Sequence, residues 1–271
     1  MTAPRIFVFG MGYTARAFAR ALGEGGIIAG VTRANFDTAD IGDATHLLIS
    51  VPPGDADPVL ARYRAAILTA PALQWIGYLS SVGVYGNYGG AWVTERTTPH
   101  PKSPRAVARL RTEREWGGLA LQRGVPLAVF RIAGIYGPGR NTFVNLSEGK
   151  AHRVVKPGQV FNRIHVHDIA TVLAAAVAGN AAGIFNLADD EPAPPQDVVT
   201  HAAAMMGVVP PPQVQFADAD LSPMARSFYE DNKRVLNRRI KDELGVELRY
   251  PTYREGLTAL WREGTWRDET K

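Results

Sequence analysis

The residues with the clearest chemical meaning form a glycine turn near the start of the chain. The segment GMGYTA fits the spacing G-x-G-x-x-A, with Gly10, Gly12 and Ala15 at the defining positions. Gly10 permits a tight turn, Gly12 lets the backbone approach a pyrophosphate, and Ala15 is small enough for close helix–strand packing. Tyr13 and Thr14 open the following helix, whose N-terminus offers N–H groups and a positive dipole end. The turn predicts dinucleotide binding, although glycines also mark ordinary turns.

The end of the second predicted strand indicates which dinucleotide would bind. An Asp or Glu there would hold the ribose hydroxyls of NAD, whereas a basic residue suits the additional phosphate of NADP. The strand ends in Thr32 and Arg33, which could bind a 2′-phosphate through charge-assisted hydrogen bonds. We therefore predict NADP in preference to NAD. An exposed arginine at a strand end is the alternative, and Asp37 or Asp40 could still reach the ribose of NAD.

Alternating strands and helices must position these residues. Apolar runs at 5–9, 27–31, 46–51, 75–79 and 127–132 are separated by helical sequence. A strand, a glycine turn, a helix and a second strand in succession form a βαβ unit, which implies a parallel sheet. We predict an α/β fold with a doubly wound parallel (Rossmann) sheet. The segment 33–45 is too short for a full helical crossover and should be irregular, and Pro52, after the third strand, is a candidate cofactor contact.

The alternation weakens after residue 139, which predicts a smaller, partly discontinuous C-terminal lobe. We assign residues 1–140 and 164–188 to the dinucleotide-binding domain, and residues 141–163 and 189–271 to the substrate-binding lobe. Helices are predicted in this lobe near 196–206, 232–244 and 253–262. In the second of them, Arg234, Arg238, Arg239 and Lys241 have helical spacing and are predicted to form a solvent-exposed face.

Composition excludes several classes of protein. The 271 residues are 46% apolar and 21% charged, which are ordinary globular values. A net charge of +4 argues against a strongly basic nucleic-acid binder, and the lack of cysteine removes disulfides and thiolate chemistry. No apolar run reaches the roughly 18 residues of a membrane helix, and no export segment is visible. We therefore expect a cytoplasmic protein without a membrane or nucleic-acid partner.

Three further segments resemble landmarks of a known family. They are LSSVGVYG at 79–86, RIAGIYGPG at 131–139 and RIHVHDIA at 163–170. Together with the glycine turn they are similar, in the same order, to the extended short-chain dehydrogenases/reductases. That family includes the NAD-dependent epimerase/dehydratase proteins that act on nucleotide sugars. The resemblance covers residue 6 to about 190 and is looser beyond. It implies a nicotinamide cofactor and a substrate that is a small carbonyl or hydroxyl compound or a nucleotide sugar.

The resemblance implies roles for individual residues. Ser81 matches the serine that hydrogen-bonds the reacting carbonyl or hydroxyl group, with Ser80 as the alternative and a plain strand cap as the structural interpretation. Tyr136 begins a turn that wraps the nicotinamide end of the cofactor in the family, where a simple Pro-Gly turn is the alternative. Arg163 ends a segment expected over the substrate cleft, where it could bind an acidic or phosphorylated substrate.

The proton-transfer pair of the family, Tyr-x-x-x-Lys, is replaced here by Arg105 and Arg109. Arginine stays protonated, with a pKa above about 12, so neither residue can act as a general base at pH 7. Arg109 could still bind the ribose or pyrophosphate, and Arg105 an anionic substrate group. A solvated helix face that also includes Glu113 explains the run equally well. If the protein is an enzyme, another group must move the proton, and the candidates are Tyr85, Tyr136 and an ordered water.

A pair of histidines raises the question of a metal. His165 and His167 alternate on a predicted strand with Asp168 adjoining, but no third ligand occurs at a telling spacing, and we predict no metal site. The resemblance instead makes His165 and Asp168 structural residues at the start of the next helix.

Two functions remain open at this point. One is an NAD(P)-dependent oxidoreductase, epimerase or dehydratase acting on a small-molecule substrate. The other is a catalytically silent NADP-binding sensor or partner-binding module. The retained cleft motifs favour the first, and the missing Tyr-x-x-x-Lys pair favours the second. By analogy with extended members of the family, the predicted helix at 104–122 could also mediate a homodimer.

Overall fold

The computed structural model describes residues 3–23 and 27–268. The outermost residues of the two predicted lobes, 1–2 and 269–271, therefore lie outside the described residues, as do residues 24–26. Within the described part the strands are β1 (Arg5–Phe9), β2 (Ile27–Val31), β3 (His46–Ile49), β4 (Trp75–Ser81), β5 (Trp92–Val93), β6 (Leu127–Ile132), β7 (Gly134–Tyr136), β8 (Arg153–Val155), β9 (Arg163–His165), β10 (Gly183–Leu187), β11 (Gln213–Gln215) and β12 (Arg234–Val235).

Helices connect and cover these strands. They are α1 (Tyr13–Leu22), α2 (Pro58–Thr69), α3 (Pro104–Arg123), α4 (Thr142–Ser147), α5 (Val166–Ala178), α6 (Pro195–Met206), α7 (Pro223–Phe228), α8 (Arg238–Asp242) and α9 (Tyr253–Arg262). Short 3₁₀ helices occur at Arg33–Thr38, Val82–Tyr85 and Thr265–Arg267. None of the helices in the described part of the chain is long and apolar enough to span a membrane.

Six parallel strands form the central sheet, in the order β10-β6-β4-β3-β1-β2. This confirms the predicted doubly wound α/β fold. The chain leaves β1 in one direction to form β2 and in the other to form β3, and ligands of such sheets bind at this switch point, beyond the carboxyl ends of the strands. Between β2 and β3 a 3₁₀ helix replaces the usual α-helix, as the short segment predicted.

Both faces of the sheet are buried. On one face Val8 and Phe130 pack with Phe18 of α1 and Leu173 of α5. On the other face Phe9 and Ile49 pack with helices α2 and α3. The strands are therefore apolar on both faces, as parallel strands between two helical layers require.

Two smaller apolar clusters consist mostly of residues from the predicted C-terminal lobe. One contains Phe143 with residues of α6 and α9, and the other contains Val154 and Tyr229. Strand β11 pairs with β8 in a two-stranded parallel sheet, and β12 pairs with β5 from the first half of the chain.

The predicted helix at 232–244 is wrong in its first half. Residues Arg234–Val235 form β12, and only Arg238–Asp242 is helical. The N–H groups of Arg234 and Leu236 donate to the carbonyls of Ala91 and Val93, both at 2.9 Å. Backbone pairing with β5 thus overrides the helical spacing of the side chains.

Of the predicted solvent-exposed face of this segment, Arg238 is exposed, whereas the other three side chains bind distant parts of the chain. The guanidinium of Arg234 donates to the carbonyl of Gly90. Arg239 donates to the Ile184 carbonyl at 2.7 Å, and Lys241 binds a carboxylate oxygen of Asp190 at 2.6 Å. These side chains connect separate parts of the chain, because the segment lies across the lobe and does not form one helix.

Candidate active site

The glycine turn is held between the ends of two strands. Gly10 has a φ of +96°, in the left-handed region that favours glycine. A Cβ at this residue would lie 3.0 Å from Val51, just past β3. The N–H groups of Gly10 and Met11 both donate to the Val31 carbonyl at 3.0 Å, which ties the turn to the end of β2. The turn therefore lies at the switch point of the sheet.

The N-terminus of α1 opens from this turn. A Cβ on Gly12 would meet no atom within 4 Å, and no side chain caps the helix. The first-turn N–H groups therefore face open space, which is the arrangement that a pyrophosphate needs. Behind them Thr14 and Ala15 are buried, so the small side chain of Ala15 allows α1 to pack closely on the sheet.

Tyr13 links the glycine turn to the Pro138-Gly139 turn. Its hydroxyl donates to the Pro138 carbonyl at 3.0 Å. A Cβ on Gly137 would lie 2.7 Å from both the Tyr13 hydroxyl and Val166, so only glycine fits this close approach. Burial raises the pKa of Tyr13 to about 12, an effect that the charge of Arg140 opposes. The Tyr13 side chain is thus a structural bridge, and its backbone N–H remains a candidate cofactor contact.

The end of β2 presents a basic side chain and no adjacent carboxylate. Arg33 is exposed and forms no hydrogen bond or ion pair with the residues that the structure describes. Thr32 caps the following 3₁₀ helix: its hydroxyl accepts from the Ala34 N–H at 3.3 Å and donates to Asn35 at 3.1 Å. The carboxylate of Asp40 accepts from the Gly42 N–H. Arg33 is therefore better placed than Thr32 to bind an added phosphate.

Two serines end β4, and only one has an available hydroxyl. Ser80 is buried and donates to Glu113 Oε1 at 2.5 Å. Ser81 is half-buried and caps the 3₁₀ helix that follows, accepting from the Gly83 N–H at 3.1 Å. Its hydroxyl hydrogen can still donate to a substrate oxygen. Pro52 is exposed after β3, the strand next to β4.

The two tyrosines predicted as proton carriers have internal partners. Tyr85 is fully buried and donates to Asn186 Oδ1 at 2.7 Å. The hydroxyl of Tyr136 lies 3.4 Å from the Thr252 carbonyl, and its ring packs against Gly256 of α9. Burial raises the pKa of both hydroxyls. This geometry argues against proton exchange with a substrate at either residue.

The arginines that replace the Tyr-x-x-x-Lys pair point in different directions. Arg109 is half-buried, and its Nη1 donates to the Leu79 carbonyl of β4 at 2.7 Å. Arg105 is exposed, and its guanidinium lies 5.2 Å from the centre of the Phe228 ring. Its Nη1 also contacts the sulfur of Met224 at 3.7 Å. Helix α7 therefore covers the place where the family carries its tyrosine.

The predicted solvated face of α3 is wrong at Glu113. This carboxylate is buried and forms an ion pair with Arg131 of β6 at 2.8 Å. Arg131 in turn lies 4.8 Å from the centre of the Tyr85 ring. The register of the sheet sets Arg131 opposite Ser80 on β4 and Asn186 on β10. A buried polar network thus lies at the carboxyl ends of β4, β6 and β10.

The spacing of apolar residues on α3 could have predicted this buried network. Ala106, Trp116 and Ala120 are buried on α3, and they recur at the spacing of one helix face. Arg109 and Glu113 fall on the same stripe, so their charges had to be directed toward the sheet and paired there.

The two histidines do not share a strand. Strand β9 ends at His165, and His167 lies in α5, where its N–H donates to His165 Nδ1 at 3.2 Å. Burial lowers the pKa of His165 to about 3. Asp168 accepts from the N–H groups of Arg249 and Tyr250 at 2.7 and 3.2 Å. Among residues 3–23 and 27–268, no group of three or more His, Asp or Glu side chains is arranged so that it could hold a metal ion.

Arg163 and Asp189 are neighbours beyond the end of β10, without an ion-pair contact. Arg163 Nη1 donates to the carbonyls of Phe161 and Ala193 at 3.0 and 3.2 Å. Asp189 accepts from the Glu191 N–H at 3.3 Å, and its Oδ2 has no partner within the described part of the chain. Burial raises the pKa of Asp189 to about 8, and the charge of Arg163 opposes this rise. Binding of an anionic substrate by Arg163 stays a prediction.

Comparison with known proteins supports this description. No family model matches the chain. It is similar to a conserved protein of unknown function from Silicibacter pomeroyi DSS, with 47% identity, a TM-score of 0.90 and coverage of 96% of this chain and 99% of that one. It is also similar to the human epimerase family protein SDR39U1 (isoform 2), solved with NADPH, at 15% identity and a TM-score of 0.75, covering 97% of this chain and 99% of that one.

One curated relative matches over part of its length. It is a 3-diazoavenalumate denitrifying reductase from a Streptomyces species, 27% identical over 165 residues. The match covers 57% of this chain and 53% of the reductase, so it spans about half of that relative.

The sheet order and the glycine turn define a doubly wound (Rossmann) fold, and solved structures of epimerase family proteins share it, in agreement with the predicted resemblance. Within this class, 47% identity over nearly the whole length shows that the chain belongs to the same family as the Silicibacter pomeroyi protein.

Proposed function

We propose that this protein is an NADP(H)-dependent oxidoreductase acting on a small carbonyl or hydroxyl compound. The observation that carries the proposal is the glycine turn: it is tied to the ends of β2 and β3, and no side chain caps the helix that it opens. An open helix N-terminus at the switch point of a doubly wound sheet is the arrangement that binds a dinucleotide pyrophosphate.

The residues at this site fit a bound NADP(H) molecule. The N–H groups at the start of α1 would hold the pyrophosphate, and Arg33 would bind the 2′-phosphate. A bound nicotinamide would supply or accept a hydride. Ser81 would donate its hydroxyl hydrogen to the substrate oxygen and so orient the reacting carbon. The NADPH in the human neighbour agrees with this assignment, although other solved neighbours are complexes with NAD, and the name of the Streptomyces reductase favours reduction.

A catalytically silent dinucleotide-binding protein is the second candidate. It is favoured by the fate of the two arginines on α3: Arg109 is engaged by the Leu79 carbonyl, and Arg105 lies against Phe228. Neither side chain can carry a proton to or from a substrate at neutral pH. A silent protein would bind the cofactor and turn over no substrate.

Calorimetric titration with NADPH, NADP⁺, NADH and NAD⁺ tests the cofactor assignment. We expect the phosphorylated forms to bind at least tenfold more tightly, a preference of about 1.4 kcal/mol. Arg33→Ala should abolish this preference. Arg114→Ala, an exposed arginine on α3, should leave it unchanged. Equal affinities for all four nucleotides would contradict the NADP assignment, and no binding of any would contradict the proposed function.

Turnover separates the two candidate functions. Oxidation of NADPH is followed by its absorbance with a panel of carbonyl compounds that includes 4-carboxybenzaldehyde and phenylpyruvate. Oxidation that depends on the carbonyl compound supports the oxidoreductase. Tight NADPH binding without oxidation across the panel supports the silent protein.

A further inference from the structure

A second Tyr-x-x-x-Lys spacing occurs in the C-terminal lobe, at Tyr229 and Lys233. It directly follows α7 and lies outside the segment in which the resemblance places the catalytic pair. The residues between them are not helical, so the two side chains diverge. Lys233 Nζ donates to the Gly86 carbonyl at 2.8 Å. Tyr229 lies in the apolar cluster around Val154. Each residue therefore needs its own interpretation.

The segment that carries Tyr229 lies over the candidate active site. Its first part, α7, contacts Arg105 through Met224 and Phe228. Its last part is bound to the loop after Ser81, where Lys233 holds Gly86 and the Asn232 N–H donates to Asn87 at 3.1 Å. Ser81 and Gly86 are the two caps of one short 3₁₀ helix. The segment thus connects the start of α3 with the end of β4.

The ring of Tyr229 is fixed by aromatic neighbours. Ring centroids lie 5.0 Å away at Phe161 and 5.1 Å away at Phe216, the second in a stacked arrangement. The residue is 7% exposed. Its hydroxyl makes no hydrogen bond to the described residues. Unlike the hydroxyls of Tyr78 and Tyr253, which are fully buried without a partner, it keeps some exposure. The ring is held, and the hydroxyl is available to a ligand.

The charged groups around Tyr229 are mostly cations. Burial raises the pKa of its hydroxyl, and the charge of Arg163 from β9 opposes this rise. Lys156 donates to the Tyr229 carbonyl, and the Arg226 guanidinium of α7 lies 5.0 Å from the centre of the stacked Phe216 ring. The adjoining Glu230 is exposed. At neutral pH the phenol is protonated, and the cations would stabilise the phenolate after it gives up its proton.

We propose that Tyr229 is the proton donor of the reaction, in the role that α3 does not fill, with Arg163 as the neighbouring cation. The inference rests on the proposed function. In the reduction, the Tyr229 Oη–H bond would break and an O–H bond would form on the substrate oxygen, while a bound dinucleotide would supply the hydride to the carbonyl carbon. The phenolate then regains a proton from water. Lys233 acts on the Gly86 loop and is not the partner of Tyr229.

A substrate-independent experiment tests this placement. 3-Fluorotyrosine is incorporated at position 229 of the full chain, and its pKa is followed by fluorine NMR with and without saturating NADP⁺. Two opposite unit charges about 5 Å apart attract each other by about 3 kcal/mol at an effective dielectric of 20, which corresponds to a pKa change of about two units. We expect the pKa at 229 to fall by at least one unit. Fluorotyrosine at position 250, which packs on His165 and His167, serves as the control and should not shift.

The two proposals can fail separately. NADP⁺ binding measured on the same labelled protein, without a pKa change at 229, would overturn the inference and leave the proposed function intact. No NADP⁺ binding would overturn both. With any carbonyl compound that the wild type reduces, Tyr229→Phe should lose at least 100-fold in kcat and keep its NADPH affinity. Unchanged kcat in that variant would also overturn the inference. Arg163→Gln should raise the pKa of fluorotyrosine 229.

Discussion

The two ends of the candidate site are built in different ways. At the β1–α1 end the candidate binding groups belong to the backbone: Gly10 and Gly12 shape a turn, and the N–H groups at the start of α1 face the candidate cofactor site. At the β4–α3 end the charged side chains of α3 turn into the sheet, where Arg109 binds a carbonyl and Glu113 pairs with Arg131. Backbone geometry follows from residue spacing, whereas the task of a charge depends on the helix face that carries it.

Breaking the buried pair should have the largest effect on stability. Glu113→Gln removes the charge that neutralises Arg131, and it also disturbs the Ser80 hydrogen bond. An unpaired buried charge typically costs about 3–5 kcal/mol. Urea unfolding should show a loss of this size. Glu115→Gln, two positions along α3 from Glu113, removes an exposed partner of Arg111 and should cost less than about 1 kcal/mol. Equal losses would mean that the Glu113–Arg131 pair is not a structural element.

A substitution in the glycine turn should leave the stability of the fold unchanged and weaken cofactor binding. In Gly12→Asp the new side chain enters open space, so the fold should remain stable while its carboxylate repels the pyrophosphate. NADPH affinity should fall at least 100-fold, or about 2.7 kcal/mol, as measured by calorimetry. Gly118→Asp, at an exposed glycine of α3 with equally open surroundings, is the matched control and should bind NADPH normally. If both variants bind equally well, the turn does not hold the cofactor.

The sequence predicts the sheet and its cofactor turn because their signals are local. The apolar runs locate the strands, and the short segment 33–45 indicates the missing helix before β3. Contacts distant in the chain are not visible in this way. Arg234 forms a strand with β5 although its spacing is helical. Tyr85 is enclosed by Asn186 of a strand that comes 101 residues later. The Tyr229-x-x-x-Lys233 spacing can be read directly, but only the fold shows that it lies over α3.

Asp189 sharpens the comparison, because it is a buried carboxyl without the ion pair that Glu113 has. Burial raises its pKa from the ordinary 3.8 to about 8. The folded state therefore keeps a proton that the unfolded chain releases, and this contribution to stability declines as the pH rises from about 4 to 8. Its slope is at most about 1.4 kcal/mol per pH unit.

Asp189→Asn should abolish that decline. The free energy of unfolding of the variant, relative to wild type, should rise between pH 5 and pH 7 in urea titrations. Asp220→Asn changes an exposed carboxyl and should show no such trend. A parallel pH dependence for wild type and Asp189→Asn would mean that Asp189 is ionised in the folded protein.

The smallest effect is expected at Ser81, where the two ends of the site meet the substrate. Its Oγ already accepts from the Gly83 N–H, so only the hydroxyl hydrogen is left to orient the reacting oxygen. Loss of one such hydrogen bond should lower kcat at least tenfold, or about 1.4 kcal/mol of transition-state stabilisation. Ser81→Ala should show this loss with any carbonyl compound that the wild type reduces, and NADPH affinity should not change. Ser81→Thr keeps the hydroxyl and should recover most of the rate. If Thr and Ala are equally slow, Ser81 acts as a cap of the 3₁₀ helix and not through its hydrogen. If neither variant is slower than wild type, the substrate oxygen is held elsewhere, and Tyr229 alone would have to orient it.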